Sequence, residues 1–400
     1  MTAVSQGSTA FERLSDGSVT SASGFRAGAV AAGIKPSGNL DLGLLVSDRP
    51  CVYAGTFTQN AFPAAPVVLS RGRLRAAPRA QAVVFNAGNA NACTGERGQA
   101  DAEEMARLAG EVLGISSDLV LAASTGVIGQ FLPMDRVRAG LRQVQLGVDG
   151  GHQAARAIMT TDTQVKEVAV SFSNGARIGA MTKGVGMIYP NMATMLAFIA
   201  TDAALEPGFA QSCLKRVVDQ TFNMVTVDGD TSTNDSCFLL ANGLAGAVDE
   251  AAFEAGLLEV CTDLARKMAR DGEGATKLIQ VDVTGASSDA DARRAARAVV
   301  GSSLLKAAVH GQDPNWGRVF AAVGNSGAQV DPFKAALWIG SVQVARDGMA
   351  TDVPRADAQA AMSGEEVQFR VDLGLGSASA RAWGCDLTEG YVIENSAYTT

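Results

Sequence analysis

K-G-V-G-M-I-Y-P-N-M-A-T-M-L-A-F, residues 183–198, carries a glycine-rich turn directly into an apolar strand and sets a hydroxyl, Thr194, at the junction. Gly184 and Gly186 permit close backbone approach, and Pro190 biases Tyr189 toward extended backbone. M-L-A-F-I-A, from Met195, reads as a buried central strand. A threonine hydroxyl is a weak nucleophile unless a base stands beside it. Cutting the chain in front of it turns its own α-amine into that base. The segment therefore predicts a break between Ala193 and Thr194, giving chains of residues 1–193 and 194–400, the second led by its nucleophile.

Upstream of this segment the first hundred residues read as short strands over 41–47, 51–57, 66–70 and 82–85, punctuated by Gly, Pro and Asn. A helix follows. Asp101 and Glu104 form a capping-box pattern, Met105, Leu108, Ala109, Val112 and Leu113 make one stripe, and Gly114 ends it. A strand over 119–123 is expected to deliver Thr125 and Gly126 into a turn, with a second helix from Met134. Val168, Val170 and Phe172 alternate toward a two-residue Asn174-Gly175 turn, and Ile178 and Met181 return toward Lys183. Downstream, helices are expected over 207–221 and 249–271. The second carries Phe253, Leu257, Val260, Cys261, Leu264 and Met268 on one face and stops at Gly272. Short strands and one Ala-rich helix over 291–300 complete the reading.

Composition narrows the function. The chain has 400 residues, long enough for two packed lobes, and is 47% hydrophobic and 18% charged, as an ordered globular protein is. A formal charge of -8 without Lys/Arg runs argues against nucleic acid as a partner. No apolar run approaches the ~20 residues of a membrane helix, and the start M-T-A-V-S-Q-G-S-T-A-F-E-R has no apolar signal core. Six scattered cysteines without a C-x-x-C pair fit reduced thiols in a cytoplasm. The two histidines, His152 and His310, stand apart from zinc-type spacing, which disfavours a metal site and a histidine-based serine triad alike.

Segment 183–198 resembles the self-cleavage motif of the ornithine acetyltransferases, also called bifunctional glutamate N-acetyltransferases. Further stretches match in order: N-A-G-N-A-N-A-C-T-G (86–95), S-T-G-V-I-G (124–129), M-T-T-D-T (159–163), T-V-D-G-D-T-S-T-N-D-S (226–236), D-G-E-G-A-T-K (271–277), G-Q-D-P-N-W-G-R (311–318) and E-N-S-A-Y-T-T (394–400). The resemblance implies an α/β fold, a self-processing amino-terminal-nucleophile-like sandwich of the DmpA and ornithine acetyltransferase type. It implies acetyl transfer from N-acetylornithine to glutamate through an acetyl-threonine at Thr194, without a cofactor, in an α2β2 assembly. Some relatives also take acetyl-CoA. The matching threonine and glycine, Thr125 and Gly126, would form the oxyanion hole, a role a turn bearing a hydroxyl and a backbone donor can fill. Thr160, Lys183, Glu273, Asn395 and Thr400 match substrate contacts, with the adjacent Thr161 an equal alternative to Thr160 in M-T-T-D-T. A fixed cation at Lys183 suits a substrate carboxylate. Glu273 lies just past a helix C-terminus, a poor place for an anion to stabilise that helix and a good one to hold an ammonium.

Other readings compete with these. Water in place of glutamate would make the same machinery an aminopeptidase, and fold alone does not separate the two. The run D-G-D-T-S-T-N-D invites a calcium loop or a non-catalytic ion-binding module, but Thr233 and Leu239 stand where an EF-hand needs Gly and Glu. It reads instead as a turn whose hydroxyls and carboxylates satisfy backbone groups close to the site. G-V-G (184–186) and G-E-G-A-T-K (272–277) fit neither a dinucleotide nor a phosphate loop. His152 is expected on a helix surface and His310 in a loop that it orders, while Asp313 and Trp316 receive no role.

Overall fold

The computed structural model describes residues 11–189 and 195–397. Ala193, Thr194 and Thr400 lie outside the described residues. Two β-sheets with helices between and outside them make a mixed α/β fold, as expected from the sequence.

The first sheet has nine strands. Eight run in the order Phe11–Arg13, Lys166–Phe172, Arg177–Lys183, Leu196–Ala204, Ser236–Ala247, Leu42–Phe57, Arg79–Asn89 and Val120–Val127, and Phe25–Val30 pairs with the first half of Leu42–Phe57. The apolar run after the glycine turn is its centre. Leu196–Ala204 lies antiparallel to Arg177–Lys183, with Leu196 opposite Lys183, and parallel to Ser236–Ala247, with Leu196 opposite Ser236. It is buried on both faces, so its sequence is continuously hydrophobic rather than alternating. The sheet therefore draws strands from both sides of the 193–194 bond.

On one face, Ala197 and Ile199 join Phe253, Leu257 and Leu264 of the helix Glu250–Arg270 and Ile279, Val281 and Val283 of the second sheet in one continuous core. That sheet runs Met349–Ala350, Val342–Arg346, Ala336–Ile339, Glu366–Asp372, Leu278–Ala286, Ala378–Cys385, Val225–Thr226. The expected two lobes thus share a core. On the other face, Phe198 stacks on Phe238 with ring centroids 5.6 Å apart and lies 5.4 Å from Phe85. Met181, Leu121 and Ala123 belong to the same cluster.

Several local expectations are corrected. Residues 66–70 lie in the helix Ala65–Ala76, not in a strand: Pro66 occupies the first turn, where a missing N–H costs nothing, and Val67 and Leu69 are buried. Segments 41–47 and 51–57 are one strand, Leu42–Phe57, whose exposed Asp48-Arg49-Pro50 falls in a register shift. The helix read from Asp101 begins at Gly95, so Asp101 lies inside it, while Gly114 caps it in the left-handed conformation with φ +68°. The hairpin loop is Ser173, Asn174 and Gly175, one residue longer than expected, because Phe172 donates its N–H to the Ala176 carbonyl. Ser303–His310, Trp316–Gly324, Arg355–Ala360 and Glu389–Ala397 are helices where the sequence reading has strands or loops; each spans nine residues or fewer, too short for a repeat to stand out.

Phe198→Ala removes the ring between Phe85 and Phe238. We expect a loss of about 3–5 kcal/mol in denaturant unfolding, with the chain still folded at low denaturant.

Candidate active site

The site gathers at the ends of strands that are distant in sheet order. Lys183 ends Arg177–Lys183, and Thr125 lies near the end of Val120–Val127, five positions away in the strand order. Five strand spacings span about 24 Å in a flat sheet, yet Lys183 Nζ lies 3.3 Å from Thr125 Oγ1. The sheet curls around its aromatic cluster to close that gap. Both residues are buried, at 3% and 4% exposure. An ammonium only donates, so Thr125 Oγ1 accepts from Lys183 and keeps its own proton free to donate elsewhere.

Thr125 and Gly126 sit within the strand rather than in the expected turn. Gly126 has φ +129°, and a Cβ there would lie 2.3 Å from the Gly88 carbonyl carbon. A glycine is required because two strands meet backbone to backbone at that point.

The glycine turn after Lys183 is held from several sides. Asp162 Oδ1 accepts from the Gly184 N–H at 2.8 Å, and Val185 O accepts from the Glu273 N–H at 2.9 Å. Asp228 accepts from the Met187 N–H at 2.5 Å and the Ile188 N–H at 2.9 Å. Beyond the junction, Asp235 Oδ1 accepts from the Met195 N–H at 3.0 Å, and the Ser236 N–H donates to Met195 O at 3.0 Å. The Asp228–Asp235 run therefore satisfies backbone groups on both sides of residues 190–194, as its composition suggested. Asn234 ties it to the Thr125 strand, donating to Ser124 O at 2.8 Å and to Ala90 O at 2.7 Å.

Glu273 follows the helix Glu250–Arg270. Its Oε1 accepts from Thr161 Oγ1 at 2.8 Å and its Oε2 from Asn395 Nδ2 at 2.8 Å. Asn395 belongs to the helix Glu389–Ala397, which docks through Thr388 Oγ1 on Gly274 O at 2.7 Å. Of the adjacent threonines, Thr161 meets Glu273, while the Thr160 N–H donates to Asp162 Oδ2 at 3.1 Å. A cleft of about 760 Å³ opens beside Thr161 and Glu273 and follows the helix past Lys267 and Arg266.

Charge is concentrated here. Burial lowers the Lys183 pKa, opposed chiefly by Asp162. Burial works to raise that of Asp162, but Lys183 and Lys166 hold it below the usual range. Burial pushes Asp235 well above it. Lys35 is lowered to about 8 by burial, with Asp41 and Asp162 opposing and Lys183 adding to the fall. Lys35, Asp162 and Asp235 are not singled out by the sequence, and Thr161 is there only the alternative to Thr160. Asp162 and Asp235 lay inside quoted motifs, whereas Lys35, in I-K-P-S-G, carries no local signal.

The two histidines are engaged elsewhere. His152, on the helix Gly151–Ala157, meets Glu167 at 3.0 Å, and His310 meets Asp386 at 3.1 Å. Asp313 accepts from Arg355 at 2.7 Å, and Trp316 packs edge-on against Phe320, so both serve the outer helices. Among the described residues no three metal-ligating side chains cluster, and no helix is long and apolar enough to cross a membrane.

A buried ammonium beside a hydroxyl and a carboxylate held by neutral donors are thus set on the segments that flank residues 190–194 and on the loop after the long helix. Comparison with known proteins gives the family. The ArgJ family model matches residues 26–400. The chain is 53% identical over 398 residues to the arginine biosynthesis bifunctional protein ArgJ of Symbiobacterium thermophilum, covering 96% of this chain and 99% of that one. It is 50% identical over 377 residues to its namesake in Thermus thermophilus, covering 94% and 98%. Among solved structures, the arginine biosynthesis bifunctional protein argJ from Bacillus halodurans is 42% identical, covering 50% of this chain and 98% of that chain at a TM-score of 0.49. The ornithine acetyltransferase complexed with ornithine from Mycobacterium tuberculosis is 39% identical, covering 46% and 100% at 0.44. The chain belongs to the ArgJ family.

Gly186 tests the placement of Glu273. A Cβ at Gly186 would lie 2.4 Å from the Glu273 carboxylate, so Gly186→Ala should displace that side chain without straining the backbone. Unfolding should be little changed while substrate KM rises several-fold, on the order of a 1 kcal/mol loss of one polar contact. Steady-state kinetics beside a denaturant melt check this.

Proposed function

We propose that the chain cuts itself between Ala193 and Thr194, and that Thr194 then carries acetyl from N-acetylornithine to glutamate. The observation that carries this reading is the buried Lys183–Thr125 contact, at the end of the strand paired with the one that follows Thr194. Membership of a family whose curated relatives are named for arginine biosynthesis supports the pathway.

In the cut, the Thr194 hydroxyl attacks the Ala193 carbonyl, the C–N bond breaks, and the acyl group moves from nitrogen to oxygen. That shift frees the Thr194 α-amine; water then hydrolyses the ester, releasing the Ala193 carboxylate and regenerating the Thr194 hydroxyl, for which the amine serves as general base. In turnover, Thr194 Oγ attacks the acetyl carbonyl of N-acetylornithine. The Thr125 hydroxyl and the Gly126 N–H stabilise the oxyanion. Ornithine leaves with a proton on its amine, and the amine of glutamate takes the acetyl group. Lys183 holds the substrate carboxylate and Glu273 an ammonium, with Thr160, Asn395 and Thr400 completing the pocket. Acetyl-CoA serves as a second donor. Two copies of each chain assemble in the cytoplasm, and no resident cofactor is required.

Purified protein should run as two chains, the second beginning Thr-Met-Leu-Ala-Phe, and Thr194→Ala should stay as one. Amino-terminal sequencing of active protein that finds a single uncut chain refutes the reading. Incubation with N-acetylornithine alone should add one acetyl mass at Thr194.

Thr125→Ala should lower kcat on the order of 10²- to 10³-fold and slow self-cleavage, since both pass through a tetrahedral oxyanion. Stopped assays and a cleavage time course measure the two effects.

A further inference from the structure

We propose that Asp162 is a positioning residue of this site: its buried carboxylate keeps Lys183 cationic and fixes the segments that carry Thr160, Thr161 and Lys183 against one another. The proposal rests on the reading above, in which Lys183 grips a substrate carboxylate.

Asp162 has no exposed side-chain surface, and three groups converge on it. Oδ1 accepts from Lys166 Nζ at 2.8 Å and from the Gly184 N–H at 2.8 Å, and Oδ2 accepts from the Thr160 N–H at 3.1 Å. One carboxylate therefore anchors the residue after Lys183 and the residue before Thr161. Lys166 carries the tie further, since its Nζ also lies 2.5 Å from Asp271, two residues before Glu273. Asp271 in turn accepts from the Thr163 N–H at 3.1 Å. Three chain segments, distant in sequence, meet on this buried set.

Its electrostatic consequence falls on Lys183. Four ionisable groups act on that ammonium from separate elements: Asp162 from the 158–165 loop, Lys166 from the strand Lys166–Phe172, Glu273 from beyond the long helix, and Asp235 from the loop before Ser236. Lys35 adds a fifth, from the loop after Phe25–Val30. Lys166 and Lys35 oppose a charge on Lys183. Glu273 shares its charge with Thr161 and Asn395, and Asp235 is pushed by burial toward its neutral form. Lys166 is offset by Asp271, which leaves the Asp162 charge to offset Lys183. A buried ammonium without such a partner sheds its proton.

The test is the pH dependence of glutamate use by correctly processed, two-chain enzyme. In Asp162→Asn the alkaline limb of kcat/KM for glutamate should move down by about one pH unit or more, with KM rising more than kcat falls, and the difference from wild type should shrink below the limb. Lys166→Met removes an opposing cation and should move the limb the other way. Because it predicts the opposite sign, it decides the matter if Asp162→Asn does not fold or process. Limbs that coincide with wild type, or a KM increase independent of pH, overturn the proposal. Lys183→Met separates the two layers. If it leaves KM for glutamate unchanged, the assignment of Lys183 to the substrate carboxylate fails. If it raises KM while Asp162→Asn keeps the wild-type profile, only the role of Asp162 fails.

Discussion

The curl of the first sheet is the constraint on which the rest depends. Strands five positions apart meet at Lys183 and Thr125 because the sheet wraps a cluster of large rings, with Phe85, Phe198, Phe238 and Tyr53 on its inner face. Glycines let it close. Gly43 lies under the Phe85 ring, where a Cβ would come within 2.4 Å of Cζ, and Gly88 and Gly126 bring two backbones together at the rim. Ring volume sets how far the sheet must bend, and missing side chains allow it to do so. Apolar packing thereby determines the distance between two polar groups that share no local sequence.

The buried lysines show what is unusual at that rim. Lys277 donates to the carbonyls of Met362 and Gly364, and Lys306 donates to that of Val227. Lys166 lies between two carboxylates. Each is consumed by the fold. The bond of Lys183 to Thr125 is to a hydroxyl, so its charge is offset at a distance rather than by direct contact with a carboxylate. Removing a charge from water is costly and a buried ion pair seldom repays it with stability. A set of Asp162, Lys166, Asp271 and Lys183 is therefore better understood as fixing geometry and charge than as strengthening the fold.

Much of this was legible in the sequence where the signal is local. The central strand after Met195, the helix with Phe253 and Leu257 on one face, the Gly114 cap and the hairpin into Lys183 all follow from periodicity and punctuation. The misreadings have a common cause. Val67 and Val68 suggest a strand because β-branched residues favour one, but the segment is a helix with a proline in its first turn, Val67 buried and Ser70 bonded to the Ala122 carbonyl. The site was legible as motifs and not as contacts: T-G-V, T-T-D and D-G-E-G could each be singled out. Their meeting depends on the curl, which no window of sequence encodes. Thr161 and Thr160 were indistinguishable until one was seen to face Glu273.

The division at 193–194 gains meaning from the ladder around it. Leu196–Ala204 is bonded along its length to Arg177–Lys183 on one side and to Ser236–Ala247 on the other, and Met195 is held by Asp235 and Ser236. Those bonds do not run through the peptide linkage preceding Thr194. A cut there, as proposed, would create an amine without releasing the strand behind it, and one sheet would remain built from two chains. The alternative base, a histidine, is not on hand, because the chain has two and carboxylates engage both away from Lys183 and Thr125. On the proposed reading the base is the threonine's own nitrogen, and the strand that begins at Leu196 is bonded on both edges independently of the bond that would be cut.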